Sequence, residues 1–146
     1  MNKIFELSNF LIPPFWFLMI FLPHWKWTRR IISSPLIIVP PAVLYGLLVV
    51  PRFFEIMPVV LQPTLVGVAA LLGSEVGAVI GWAHFLAFDL FVGRWIYLDS
   101  GEKNISAWLM APILFFTLML GPLGFLSYLL LREIYRRFDG AKKVAE

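Results

Sequence analysis

The feature that most constrains this chain is a series of apolar stretches, each near the length that crosses a lipid bilayer as a helix. A spanning helix needs about 20 predominantly apolar residues to cross a hydrocarbon layer roughly 30 Å thick. Four stretches predict spans, over about residues 4–22, 35–50, 75–93 and 107–131. We therefore predict an all-α fold, an integral membrane bundle of four transmembrane helices in a single transmembrane domain, 1–146, ending in a basic tail, 132–146.

The composition supports a membrane location. The chain is 60% hydrophobic and 14% charged, whereas soluble domains carry about 25% charged residues. Because 146 residues form too small a core to hide this apolar surface, the lipid bilayer is the predicted partner. The net charge of +3 is small, and the basic residues lie beside apolar stretches. This pattern favours lipid headgroups and argues against nucleic acid as a partner.

Glycine and proline mark the predicted breaks. The third apolar region, 65–92, is too long for one untilted span. We predict a short interfacial helix over 65–72, a break near Gly73 and Ser74, and the span itself from Glu75. The sequence over 121–124, Gly-Pro-Leu-Gly, predicts a bend in the fourth span. Two proline pairs predict kinks within the first and second spans, namely Pro13-Pro14 and Pro40-Pro41.

The basic residues also predict an orientation. With four spans, seven of them fall on the side of the termini and five on the other side. The positive-inside rule then predicts that both termini are cytoplasmic. The first apolar stretch opens the chain without a transit peptide, which favours a prokaryotic protein in a bacterial inner or thylakoid membrane.

Four ionisable residues lie in or beside the third span, namely Glu75, His84, Asp89 and Arg94. A charged side chain at the centre of a span costs at least about 2.5–3.5 kcal/mol, so such groups normally face a partner or a cavity. Structural explanations stay open for each of them. Asp89 could pair with Arg94 or with a basic residue on another helix, and Glu75 could be an acid at a helix start.

The third span also carries a glycine stripe, since Gly73, Gly77 and Gly81 repeat at every fourth residue. Such a stripe favours close helix packing, and it also leaves room for a flat ligand. We predict no metal site, because the chain has no Cys and two His in no ligand pattern. No phosphate-binding loop or nucleophile elbow is present, and we predict no cofactor.

The stretch over 82–95 reads Trp-Ala-His-Phe-Leu-Ala-Phe-Asp-Leu-Phe-Val-Gly-Arg-Trp. It resembles the signature of the neoxanthin-synthase-like (abscisic-acid-deficient-four-like) integral membrane family. Further matches lie at 5–9, 14–16, 34–35, 121–124 and Arg132. The resemblance implies carotenoid biosynthesis, since plant members are chloroplast membrane proteins required to convert violaxanthin into neoxanthin. Similar bacterial proteins occur where that substrate is generally absent.

The resemblance implies an isomerase that turns a carotenoid epoxide into an allenic alcohol without a redox cofactor. Asp89 is then the candidate acid at the epoxide oxygen, with His84 as the base or as the group that orients Asp89. The candidate substrate-binding residues are Trp82, Phe85, Phe88, Arg94, Glu75, Gly77 and Gly81. The alternative is a non-catalytic protein that binds a pigment or lipid, or an assembly subunit of an oligomer or larger membrane complex.

Overall fold

The computed structural model describes the backbone of residues 1–144 and the side chains of residues 1–137. The described part of the chain is helical and contains no strand. Its α-helices are α1 (Asn2–Leu11), α2 (Pro13–Phe21), α3 (Lys26–Ser33), α4 (Val39–Val49), α5 (Phe53–Leu61), α6 (Leu65–Gly73), α7 (Glu75–Glu102), α8 (Ala107–Leu120) and α9 (Pro122–Val144). Short 3₁₀ segments cover Pro35–Ile38 and Val50–Arg52. In the predicted basic tail, the side chains from 138 onward lie outside the described residues.

Three largely helical stretches are long and apolar enough to cross a membrane, namely Asn2–Phe21, Pro35–Leu61 and Glu75–Glu102. They cover most of the first three predicted spans, and the second and third stretches continue past the predicted ends at 50 and 93. The fourth predicted span is divided into α8, which has 14 residues, and α9. The all-helical fold is therefore confirmed, whereas four membrane crossings are not.

The chain forms two compact units. The first unit contains Met1–Pro14 and Leu36–Phe88, and the second contains Phe15–Pro35 and Asp89–Glu146. The long helix α7 contributes to both units, because the division falls between Phe88 and Asp89.

The core of the first unit lies where α1, α4 and the first part of α7 meet. Leu48, Val79 and Ala83 are buried together. The partly buried residues packed against them are Met1, Ile4, Tyr45 and Ile80. Since α4 supplies Leu48 and Tyr45, this packing brings α4 alongside the segment of α7 that carries His84.

The break between α6 and α7 falls where the sequence predicts it. The Ser74 hydroxyl donates to the Leu71 carbonyl over 2.8 Å and accepts from the Gly77 N–H over 3.0 Å. The Ser74 side chain thus caps the C-terminal end of α6 and the N-terminal end of α7. Gly77 is required here, because a Cβ at this position would overlap the Leu71 carbonyl.

The proline pairs lie at the starts of α-helices within the first and second predicted spans. Pro13 is the first residue of α2, which follows the end of α1 at Leu11. Pro40 and Pro41 lie in the first turn of α4. A proline is tolerated at these positions because the first-turn N–H groups have no partner within the helix.

A sharp turn at Gly121 separates α8 from α9 in the second unit. Gly121 has a φ of 24°, and Pro122 starts α9. A Cβ on Gly124 would overlap the backbone of Thr117, so the two helices approach closely just after the turn. The predicted bend is therefore a reversal, and α8 and α9 form a helical hairpin.

The helix α9 runs along the later part of α7 in the same direction. Asp89 lies against Gly121, the Trp95 ring lies 5.5 Å from the Tyr128 ring, and Asp99 binds Arg132 over 2.8 Å. Residue numbers rise together along both helices. The turn at Gly121 therefore lies at the level of Asp89, near the middle of α7.

Candidate functional site

Asp89 occupies the second unit, half-buried on α7. Its carboxylate lies against the backbone of Gly121, where a Cβ would overlap Oδ1. Glycine at 121 therefore makes room for the carboxylate as well as for the turn. Among the described residues Asp89 has no hydrogen bond or ion pair, and its role as an acid stays a prediction.

Arg94 does not pair with Asp89. Its Nε donates to the Ile32 carbonyl over 2.8 Å, and its Nη2 donates to the Ser33 carbonyl over 2.5 Å. Carbonyls at the end of a helix lack intrahelical partners and favour a nearby cation. Arg94 therefore fastens the end of α3 to α7, and its contact with a substrate stays a prediction.

His84 lies in the first unit, within an aromatic patch formed by Tyr45, His84, Phe85 and Phe88. The imidazole stacks on Phe88 with 4.6 Å between ring centroids, and the Tyr45 ring lies 5.5 Å away. The patch is open, since Phe85 is 57% exposed and Phe88 is 58% exposed. It presents several ring faces beside one titratable nitrogen base.

Trp82 joins two helices of the first unit. Its Nε1 donates to the Asn9 Oδ1 over 2.7 Å, and its ring lies 5.8 Å from the Phe5 ring. These contacts hold α1 against α7. Because the ring is still 40% exposed, a role in substrate binding stays a prediction.

The other predicted residues of the first unit have local structural roles. Glu75 begins α7 with its side chain 70% exposed, which fits the explanation of an acid at a helix start. Gly77 admits the Leu71 carbonyl, and a Cβ on Gly81 would lie 3.3 Å from the Leu72 side chain. Gly77 and Gly81 of the glycine stripe thus pack against the end of α6, whereas Gly73 has open space around it. A role of the stripe in ligand binding stays a prediction.

The predicted site residues therefore fall into two groups. The first unit holds Glu75, Gly77, Gly81, Trp82, His84, Phe85 and Phe88, whereas the second holds Asp89 and Arg94. His84 contacts aromatic rings, whereas Asp89 lies against the turn at Gly121.

The sequence did not reveal a charged cluster around Asp99. This carboxylate accepts hydrogen bonds from the Tyr128 hydroxyl, from Arg132 Nε over 2.8 Å and from Lys103 Nζ over 2.7 Å. Tyr128 is fully buried, and the Arg132 guanidinium lies 5.9 Å from the Trp95 ring centroid. The spacing of Asp99 and Lys103 was an available signal, because such a pair supports a helix that continues past 93.

Comparison with known proteins gives the family. A family model described as ABA DEFICIENT 4-like matches residues 3–128. The chain is 26% identical over 139 residues to the protein ABA DEFICIENT 4, chloroplastic, of Arabidopsis thaliana. That alignment covers 91% of this chain and 62% of the relative, so the chain spans less than two thirds of the relative's length. No solved structure matches.

The family match includes every predicted site residue, from Glu75 to Arg94, and the helices that position them. It also includes the turn at Gly121 and extends to Tyr128. The family expected from the stretch over 82–95 is thereby confirmed. Since the match covers well over half of the sequence, this chain belongs to the ABA DEFICIENT 4-like family.

Proposed function

We propose that this protein binds a carotenoid-type isoprenoid within a bacterial inner or thylakoid membrane and isomerises it without a cofactor. The observation that carries the proposal is the family match over residues 3–128. The resemblance to this family implies a role in carotenoid biosynthesis, because its plant members are required for neoxanthin formation. The three helices that are long and apolar enough to cross a membrane support contact with a substrate dissolved in lipid.

The aromatic patch around His84 supports the binding of a flat, apolar ligand. Its rings stack in offset or edge-on arrangements, with His84 and Phe88 4.6 Å apart and His84 and Phe85 6.2 Å apart. Aromatic faces favour contact with a conjugated chain, and they also stabilise positive charge. These rings would therefore stabilise a carotenoid epoxide when it binds, and again when its epoxide ring opens through a carbocation.

The proposed reaction needs two proton transfers. An acid gives a proton to the epoxide oxygen as one C–O bond breaks, and a base removes a proton from a vinylic carbon to complete the allene. Substrate and product are isomers, so no electrons are gained or lost. We assign the acid to Asp89, whose carboxylate has no partner among the described residues, and the base to His84.

Pigment analysis of a deletion strain complemented with variants tests this assignment. Asp89→Asn removes the acid, and His84→Phe keeps an aromatic ring but removes the nitrogen base. We expect each variant to lower pigment conversion by about 10²–10⁴-fold, the usual contribution of a general acid or base. Glu133→Gln is the matched control, because it neutralises an exposed carboxylate on α9, and it should convert pigment normally.

Full conversion by both Asp89→Asn and His84→Phe, at unchanged protein level, would contradict the enzymatic proposal. The exposed aromatic patch also favours a second function, in which the protein holds a pigment or lipid without altering it or presents it to a larger membrane complex. In that case the purified wild type and Asp89→Asn would carry the same unmodified pigment in the same amount.

A further inference from the structure

A cavity of about 600 Å³ lies in the second unit, and the turn at Gly121 does not line it. It is lined by the end of α2, the start of α3, the end of α7 and the start of α8. Its floor is apolar and well buried, and is formed by Met19, Ile105, Met110 and Leu114. The floor can therefore receive hydrocarbon.

The rim of the cavity is basic. His24, Lys26 and Arg29 line it, and all three are exposed. No Asp or Glu occurs among the described residues that line this cavity. Trp25 stands on the same rim with 48% of its surface exposed. Tryptophan beside lysine and arginine at the end of an apolar helix is typical of the headgroup level of a bilayer.

Two hydrogen bonds hold the rim in place. The Thr28 hydroxyl donates to the Leu22 carbonyl over 2.7 Å, and Thr28 is fully buried. The Tyr97 hydroxyl donates to the Pro23 carbonyl over 2.7 Å. The connection between α2 and α3 is thus tied to α3 at one point and to α7 at another. Lys26 and Arg29 are presented to the cavity from a fixed backbone.

We infer that this cavity binds the anionic headgroup of a membrane lipid, with the start of the acyl chains on the apolar floor. Basic pockets between helices at the membrane surface recognise acidic headgroups in this way. Free phosphate would not use the floor, and an uncharged isoprenoid would not use the basic rim. The site is therefore a lipid site separate from the residues assigned to isoprenoid chemistry.

The test uses the full chain purified in detergent and freed of bound lipid. Native mass spectrometry would measure the binding of phosphatidylglycerol and, in parallel, of phosphatidylcholine. The variant Lys26→Gln/Arg29→Gln removes two rim charges, and Arg136→Gln/Arg137→Gln removes two exposed charges on α9, outside the cavity. A third variant, Ala107→Phe, fills the cavity without changing charge.

We expect the wild type to prefer phosphatidylglycerol and the rim variant to bind it roughly 30-fold more weakly. This factor follows because each basic side chain near a membrane surface contributes about fivefold to the binding of anionic lipid. The variant Ala107→Phe should also lose binding, whereas the α9 variant should bind as the wild type does.

Three results would overturn the inference. Equal losses in the rim and α9 variants would show that general surface charge attracts the lipid. Displacement of phosphatidylglycerol by millimolar inorganic phosphate would identify a site for free phosphate. Equal binding of both lipids would show that the basic rim does not discriminate between phosphatidylglycerol and phosphatidylcholine. All of these readouts are independent of pigment conversion.

Discussion

Among single residues, Gly93 sets how closely α2 approaches α7, because the Trp16 ring lies directly over it. A Cβ at 93 would overlap this ring, and Trp16 is 1% exposed, so the ring has little room to move. We expect Gly93→Ala to destabilise the protein by about 1–3 kcal/mol, the usual cost of overpacking. Gly101→Ala on the same helix has open space around it and should leave stability unchanged or raise it. Thermal unfolding in detergent would compare the two, and equal stability would contradict the packing argument.

The carboxylate of Asp99 gives a second prediction at this scale. Its side chain is 12% exposed and that of Arg132 is 38% exposed, so Asp99→Asn leaves a partly buried guanidinium without its anion. We expect a loss of roughly 2 kcal/mol, less than the 3–5 kcal/mol of a fully buried pair because Arg132 is partly solvated.

Glu133→Gln is the control for Asp99→Asn, since it removes a carboxylate that is also paired with arginine. Hydrogen bonds from Arg136 and Arg137 lower the pKa of Glu133 to about 2, so this carboxylate is ionised at neutral pH. The Arg136 and Arg137 side chains are 76% and 79% exposed, and exposed pairs contribute little to stability. Equal shifts in the unfolding temperature for the two variants would contradict a structural role for Asp99.

Residue type alone directed attention to His84 and Asp89, because ionisable groups are rare in apolar spans. The contacts of each residue could not be predicted in the same way. Arg94 binds the carbonyls of Ile32 and Ser33, which lie about 60 positions earlier in the chain. Such pairs depend on how helices pack, and no local pattern encodes them.

Among the helices, the break between α6 and α7 was predictable and the hairpin of α8 and α9 was not. Gly73 and Ser74 are local stop and cap signals, and the Ser74 hydroxyl performs both functions. The stretch 107–131 is apolar throughout most of its length. Hydropathy alone does not show whether such a stretch continues straight or reverses its course. The reversal depends on the φ of Gly121 and on the approach of Gly124 to Thr117.

For the whole molecule, the hairpin of α8 and α9 leads to a prediction about the number of membrane crossings. A helix that crossed the bilayer from 107 to 131 would place Arg132 about 30 Å from the side where α7 ends. Instead, Arg132 and Lys103 bind the same carboxylate, that of Asp99. We therefore predict that the α8–α9 segment enters and leaves a membrane on one side. The charge count that predicted both termini on the cytoplasmic side depended on a fourth crossing.

Single cysteines test this arrangement, and the chain offers a clean background because it contains no Cys. Glu102→Cys marks the end of α7, and Arg136→Cys marks α9 beyond the Asp99 cluster, both at exposed positions. In membrane vesicles of one orientation, we expect a membrane-impermeant maleimide to label both positions from the same side. Leu114→Cys, at a residue 1% exposed, should stay unlabelled.

Labelling of positions 102 and 136 from opposite sides would support the fourth crossing and contradict the one-sided arrangement. The same-side result has a consequence for the chemistry, because it places the turn at Gly121 within the bilayer beside Asp89. Irregular backbone at that depth is tolerated where protein covers it or where it lines a cavity. A same-side result would thus make the surroundings of Asp89 the place to introduce further substitutions for pigment conversion.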